Sequence, residues 1–213
     1  MLKLYDYLPS QNAYKVRLLL AHLGTPCETI PVSIFEGEGR NADFLARNPA
    51  GAVPVLELED GRTLPESNAI LLYLAQGTPY LPEDPWLRAQ VARWMFFEED
   101  YVQNGVAALR HWVLTGKDAR RSEEALAGKR ASAIKTLEIL DGWLESRDFL
   151  VDCGYTVADM AMYAYIGFAD EAGLPMHEYP NVENWIARVR QQPGFLATVH
   201  SYSTDPASVN ELP

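Results

Sequence analysis

Between Gly77 and Pro85 the chain reads Gly-Thr-Pro-Tyr-Leu-Pro-Glu-Asp-Pro, with prolines at positions 79, 82 and 85. Regular structure does not run through such a segment, because each proline lacks an N–H donor and fixes its own φ. The chain is therefore read as two halves joined by a linker over 79–85. Before the linker, strand and helix periods alternate; after it, only helical periods remain.

The first half, residues 1–78, reads as βαβαββα. Leu2, Leu4 and Asp6 alternate with Lys3, Tyr5 and Tyr7, a strand pattern. Val16, Leu19, Leu20 and Leu23 recur at helical spacing, and Gly24 stops that helix. Thr29–Ile34 is a second strand by its β-branched content. A polar loop and a short helix ending near Asn48-Pro49 follow, then a strand over Val53–Leu58. Asp60-Gly61 is a turn signal leading to a short fourth strand, and Glu66–Gln76 is an apolar helix. The second half, 86–204, carries helical periodicity over 85–114, 119–145, 156–172 and 181–203, which implies a bundle. Residues 205–213 read as a tail. The fold class is thus α/β plus all-α.

Charge and cysteine usage exclude several functions. Lys and Arg number 18 against 29 Asp and Glu, a net charge of −11. A chain so acidic repels phosphate backbones and anionic bilayers, so neither nucleic acid nor membrane is expected as a partner. No apolar run is long enough to span a bilayer, and the N-terminus lacks the pattern of a signal peptide. Two distant cysteines, Cys27 and Cys153, give no disulfide framework, which points to a reducing, cytoplasmic setting. His22, His111, His177 and His200 show no ligand spacing, so no metal is expected. Gly37-Glu38-Gly39-Arg40-Asn41-Ala42 fits G-x-G-x-x-A, but it does not follow the first strand, and Glu36 and Glu38 would repel a pyrophosphate.

Two segments in the first half concentrate polar groups where helices begin: Ser10-Gln11-Asn12 precedes the first helix, and Glu66-Ser67 opens the third. Ser10 or Asn12 reads simply as a helix cap, and so does the Glu66-Ser67 pair. Backbone N–H groups at those two helix starts are also anion sites. In the second half, Thr156-Val157-Ala158-Asp159 is a capping-box pattern with Tyr155 and Met160 at the staple positions. The helix it starts is apolar nearly all round and reads as the buried centre of the bundle.

Ser10-Gln11-Asn12-Ala13-Tyr14-Lys15-Val16-Arg17, Asn48-Pro49-Ala50-Gly51-Ala52-Val53-Pro54 and Leu64-Pro65-Glu66-Ser67-Asn68-Ala69-Ile70, in this order, resemble the glutathione S-transferase superfamily. The capped apolar helix after Thr156 is a fourth match, and the likeness covers nearly the whole chain. It implies a thioredoxin-like N-terminal domain, a helical C-terminal domain, glutathione as cosubstrate, and a homodimer. It further implies that Ser10, as in serine-type members, or Asn12, as in a bacterial subgroup with Thr-x-Asn, stabilises the glutathione thiolate. Val53 and a cis Pro54 would pair with the cysteinyl backbone, Ser67 and Glu66 with the γ-glutamyl carboxylate and amino group. Ala52 departs from the family's usual Gln. Arg40 is a candidate for the glycyl carboxylate, against the plainer reading of a solvated arginine.

The implied activity is thiolate attack on a small-molecule electrophile, in conjugation or detoxification. The alternatives are glutathione-dependent reduction of peroxides or disulfides, and a non-catalytic binding module. Tyr5 or Tyr7 would serve a tyrosine-type site. Candidates for an electrophile pocket between the domains are Tyr7, Tyr101, Asn104, Arg110, Trp112, Tyr165 and Phe168, although aromatics at helical spacing are more often core. Arg110 could attract a carboxylate or pair with Glu98 or Glu99. No cysteine lies in the first turn, which disfavours exchange through a protein thiol.

Overall fold

The computed structural model describes residues 1–213. They divide into two compact units, Met1–Gln76 together with Pro193–Pro213, and Gly77–Gln192.

In the first unit the elements are β1 (Leu2–Asp6), α1 (Gln11–Leu23), β2 (Cys27–Pro31), α2 (Ala42–Leu45), β3 (Val55–Glu57), β4 (Thr63–Pro65) and α3 (Ser67–Leu74). The sheet order is β2-β1-β3-β4, with β1 parallel to β2 and antiparallel to β3. The pairing Leu4↔Leu56 and Tyr5↔Val55 sends alternate residues to opposite faces. Leu4 and Leu56 pack with Val16, Leu20 and Ile70, which brings α1 and α3 onto one face. Val55 packs with Val32 and Phe44 on the other, under α2. This is the thioredoxin-like arrangement that the first half implied.

Charge ties β1 to α1. Asp6, 1% exposed, receives Arg17 Nη1 at 2.7 and 2.5 Å, while Arg17 Nη2 donates to the Leu8 carbonyl at 2.8 Å. Burial nonetheless leaves the Asp6 carboxyl above its usual range, with Arg17 pulling it down. Gly24, at φ 60°, closes α1 in the left-handed conformation that its position in the sequence suggested.

The second unit holds α4 (Pro85–Phe97), α5 (Ala108–Leu114), α6 (Glu123–Leu144), α7 (Val157–Ile166) and α8 (Pro180–Arg190). Asp84 caps α4 by accepting from Leu87 N at 2.9 Å, and Pro85 is its first residue, so the linker ends at Asp84 rather than at Pro85. Between α4 and α5 the helix continues as a π-helical segment, Glu98–Ala107, which the sequence did not announce. Inside it Gly105 meets α6, where an added Cβ would lie 2.9 Å from Ala133 N, so no larger residue fits.

Every residue of α7 is buried. Its capping box is closed in both directions: Thr156 accepts from the first turn, and Asp159 Oδ2 accepts from Thr156 N at 3.0 Å. Asp159 is 0% exposed, and its Oδ1 also accepts from Leu150 N at 3.0 Å and Trp185 Nε1 at 2.9 Å. One carboxylate thus joins the segment before α7, the start of α7 and the middle of α8. No helix of the molecule is long and apolar enough to cross a membrane.

The C-terminal expectation needs correction. The helical pattern over 181–203 stops at Arg190, and residues 193–204 belong to the first unit, not to a helical domain running to 204. Pro193 and Gly194, the latter at φ 79°, redirect the chain, and an added Cβ on Gly194 would sit 3.2 Å from His22 Cα. The returning strand of coil is held by Tyr14 Oη donating to the Leu196 carbonyl at 2.6 Å and by His22 Nδ1 against the Pro193 carbonyl at 2.8 Å. The apolar spacing of Phe195, Leu196 and Val199 therefore does not make a helix.

Candidate functional site

Two helix starts meet on the first unit. Ser10 caps α1, its Oγ accepting from Ala13 N at 3.3 Å. That bond uses a lone pair and leaves the hydroxyl proton available to a further acceptor, so capping and donation are compatible. Asn12, in the first turn, presents Oδ1 to the hydroxyl of Ser67 at 3.4 Å. Lys15, one turn on, donates its ammonium to Ser67 Oγ at 3.3 Å. Ser67 is the first residue of α3 and 4% exposed; Lys15 is 0% exposed. Packing of α1 against α3 on one sheet face is what brings these side chains together.

Helix N-termini carry partial positive charge and unsatisfied N–H groups. Lys15 adds a full positive charge beside the starts of α1 and α3, on a molecule of net charge −11. Immediately before Ser67, Glu66 holds φ 71°, the sole non-glycine residue at positive φ. Such a backbone costs about 1–3 kcal/mol in a residue with a Cβ. Glu66→Gly should therefore raise stability by up to about 1 kcal/mol in chemical denaturation. If the Glu66 carboxylate meets the ligand's ammonium, the same change weakens glutathione binding about tenfold in calorimetry. A variant both less stable and equally tight would contradict both statements.

Val53-Pro54 is a cis peptide just before β3, as the family resemblance implied. Asn48 organises the preceding turn: Nδ2 donates to the Ala52 carbonyl at 2.7 Å and Oδ1 accepts from Ala50 N at 3.0 Å. Arg40 is not simply solvated. It donates from Nε to the Pro213 carbonyl at 3.1 Å and from Nη1 to the Ala50 carbonyl at 3.2 Å. The G-x-G-x-x-A segment forms one 3-10 turn, Glu38–Arg40, in the β2–α2 connection, just after another over Ile34–Glu36.

Tyr7 is enclosed by the returning C-terminal segment. Its hydroxyl donates to Asp205 Oδ2 at 2.7 Å, and its ring lies 5.6 Å from Phe35 and 6.3 Å from Tyr202. Burial, then the neighbouring Asp205 carboxylate, hold its phenol well above the ordinary range. A phenol with one proton already given to a carboxylate is a poor donor to sulfur. Tyr5 is likewise committed, donating to Glu57 Oε2 at 2.7 Å. Sequence reasoning missed Lys15, Glu66's backbone and Asp205. Only the first had a signal, a lysine one turn beyond Asn12 on a helix that must be buried.

The second-unit candidates are engaged within their own unit. Tyr101 stacks on Phe97 at 4.7 Å, and Asn104 Nδ2 donates to the Asp100 carbonyl at 2.7 Å. Tyr165 lies in α7, 8% exposed; Trp112 sits under the Arg121 guanidinium, and Phe168 under Arg110. Arg110, 4% exposed, pairs with Glu171, its Nε donating to Oε2 at 2.7 Å. Glu171 reaches it from the turn after α7, a partner that helical spacing along α4 and α5 cannot reveal.

A thioredoxin-like unit with polar groups at the starts of α1 and α3, and a helical unit with a capped, buried central helix, define a glutathione transferase fold. The family model "Glutathione S-transferase, N-terminal domain" matches residues 1–76, and "Glutathione S-transferase, C-terminal domain" matches 106–193. A glutathione S-transferase structure from Pseudomonas fluorescens shares 40% identity, covering 92% of this chain and 97% of that one, with a TM-score of 0.88. The glutathione S-transferase-like protein FUS3 of Gibberella moniliformis is 32% identical over 88% of this chain and 87% of its own. Maleylacetoacetate isomerase of Pseudomonas aeruginosa is 30% identical, covering 91% and 93%. The chain belongs to the glutathione S-transferase superfamily. It is a glutathione-dependent transferase.

Proposed function

We propose that the first unit binds glutathione with its sulfur at the start of α1, where Ser10, with Asn12 beside it, stabilises the thiolate for attack on a small electrophile. The observation that carries this reading is the 3.4 Å approach of Ser67 to Asn12, which brings two helix N-termini to one place. The thiolate is the nucleophile, and a free thiol titrates near 8.5, so about 3 kcal/mol of preferential stabilisation is needed to lower that by two units. A charge-assisted hydrogen bond and a helix terminus together supply a sum of that size.

Ser67 and the α3 terminus would receive the γ-glutamyl carboxylate, and Glu66 its ammonium. The Val53 backbone would pair with the cysteinyl residue, next to Pro54. Arg40 would take the glycyl carboxylate after giving up the Pro213 carbonyl. Tyr101, Asn104, Arg110 and Tyr165 stay candidates for the electrophile side, with Arg110 the weakest because Glu171 already neutralises it. Conjugation is favoured over reduction through a protein thiol, since burial raises both Cys27 and Cys153 above the usual thiol range.

The protein works as a cytoplasmic homodimer in this reading. Two unpaired cysteines suit a reducing compartment, and α4 exposes Trp86 and Phe96 at 70% and 73% to a second copy. Retention on immobilised glutathione, followed by turnover against a panel of electrophiles and peroxides, tests the function. Turnover of an electrophile is expected; retention without any turnover would favour a binding module, and no retention would overturn the site.

A further inference from the structure

Lys15 is a cation with no exposed surface, in contact with the very hydroxyl assigned to the ligand carboxylate. An ammonium has three donors and no acceptor. At Ser67 Oγ it can therefore only donate, and it occupies a lone pair at 3.3 Å. The Ser67 proton must then point elsewhere, and Asn12 Oδ1 takes it at 3.4 Å. A carboxylate oxygen arriving at the α3 terminus would replace Asn12 as acceptor and meet a hydroxyl already polarised by a positive charge.

We propose that Lys15 is a positioning residue for glutathione: acting through Ser67, it fixes that hydroxyl as a charge-backed donor and so selects a peptide carrying the γ-glutamyl α-carboxylate. This rests on the glutathione reading of Ser67. Lys15 donates to Ser67 and acts through it in this reading, so its effect is on recognition and appears in KM far more than in kcat.

The test uses the full chain with Lys15→Met, which keeps length and suits an enclosed site. Calorimetry would compare glutathione with an analogue whose γ-glutamyl group is replaced by 4-aminobutyryl, which lacks only the α-carboxylate. The Met variant should bind glutathione about 10- to 100-fold more weakly, the range of a hydrogen bond to a charged group. It should bind the analogue within about twofold of the native protein, and Lys15→Arg should recover part of the loss. A merely structural lysine would lower both affinities alike. Equal losses for the two peptides, or no loss for glutathione, would overturn the proposal while leaving the native protein's own binding intact. A native protein that binds no glutathione would overturn the parent reading, and this one with it. If the Met variant does not fold, Lys15→Gln is read against the same pair of peptides.

Discussion

Asp159→Ala should cost the protein about 3–5 kcal/mol, the largest stability loss expected from any single side chain discussed. The carboxylate accepts from Leu150 N, Thr156 N and Trp185 Nε1 at 3.0, 3.0 and 2.9 Å, all in a site with no solvent access. Alanine strands three buried donors, at roughly 1–3 kcal/mol each before relaxation. That is a large share of the 5–15 kcal/mol typical of a folded domain. Asp159→Asn should lose less, because one carbonyl oxygen can still serve Leu150 and Trp185, while Thr156 N then faces an amide donor. Urea midpoints of the two variants check the ranking. Near-native stability in the alanine variant would mean that Asp159 does not hold α7 to α8.

The same carboxyl makes stability depend on pH in a defined direction. Burial pushes it up to about 6, although the backbone and side-chain donors pull it down. The folded state therefore binds its proton more tightly than the unfolded chain, whose carboxyl titrates near 4. Its contribution is full below about pH 4 and is lost as pH rises through about 6, by roughly 3 kcal/mol in total. The stability of the native protein relative to Asp159→Asn should accordingly shrink between those limits. In the protonated form Oδ2 can donate to Thr156 Oγ1, 3.3 Å away, so the proton has a partner.

Ser10→Ala should have the largest effect on turnover. Losing one donor to the sulfur is expected to raise the bound thiol's pKa by about 1–2 units, and at pH 7 the thiolate fraction, and with it the rate, should fall about 3- to 25-fold. By linkage, glutathione affinity at pH 7 should fall only about three- to fourfold, and stability by only ~1 kcal/mol, the worth of a cap. The deficit should narrow as pH rises past the free thiol's value, because the thiolate then forms unaided. A pH–rate profile parallel to the native one would remove Ser10 from the role and leave Asn12 as the donor.

Much of this molecule was legible where local rules and packing agree. Gly24 after an apolar helical run, Asp60-Gly61 between strand patterns and Thr156–Asp159 before an all-apolar helix each give the structure their pattern implies. What stayed hidden depends on groups far apart in sequence. The widened turns of Glu98–Ala107 have ordinary helical composition, and only their packing on α6 accompanies the change. Phe195, Leu196 and Val199 look helical, yet the Leu196 and Pro193 carbonyls are held by Tyr14 and His22 on α1. The proposed site was half visible: Ser10, Asn12 and Ser67 stand in recognisable turns. Lys15 becomes part of it only when α1 and α3 share a face, and Tyr7 leaves it only when Asp205 arrives.

The most direct measurement is an ultraviolet titration of the thiolate of glutathione bound to the unmodified protein. An apparent pKa about two units below the 8.5 of a free thiol is the predicted result. A bound sulfur that ionises at the same pH as free glutathione would contradict the claim that the opening residues of α1 hold it as an anion.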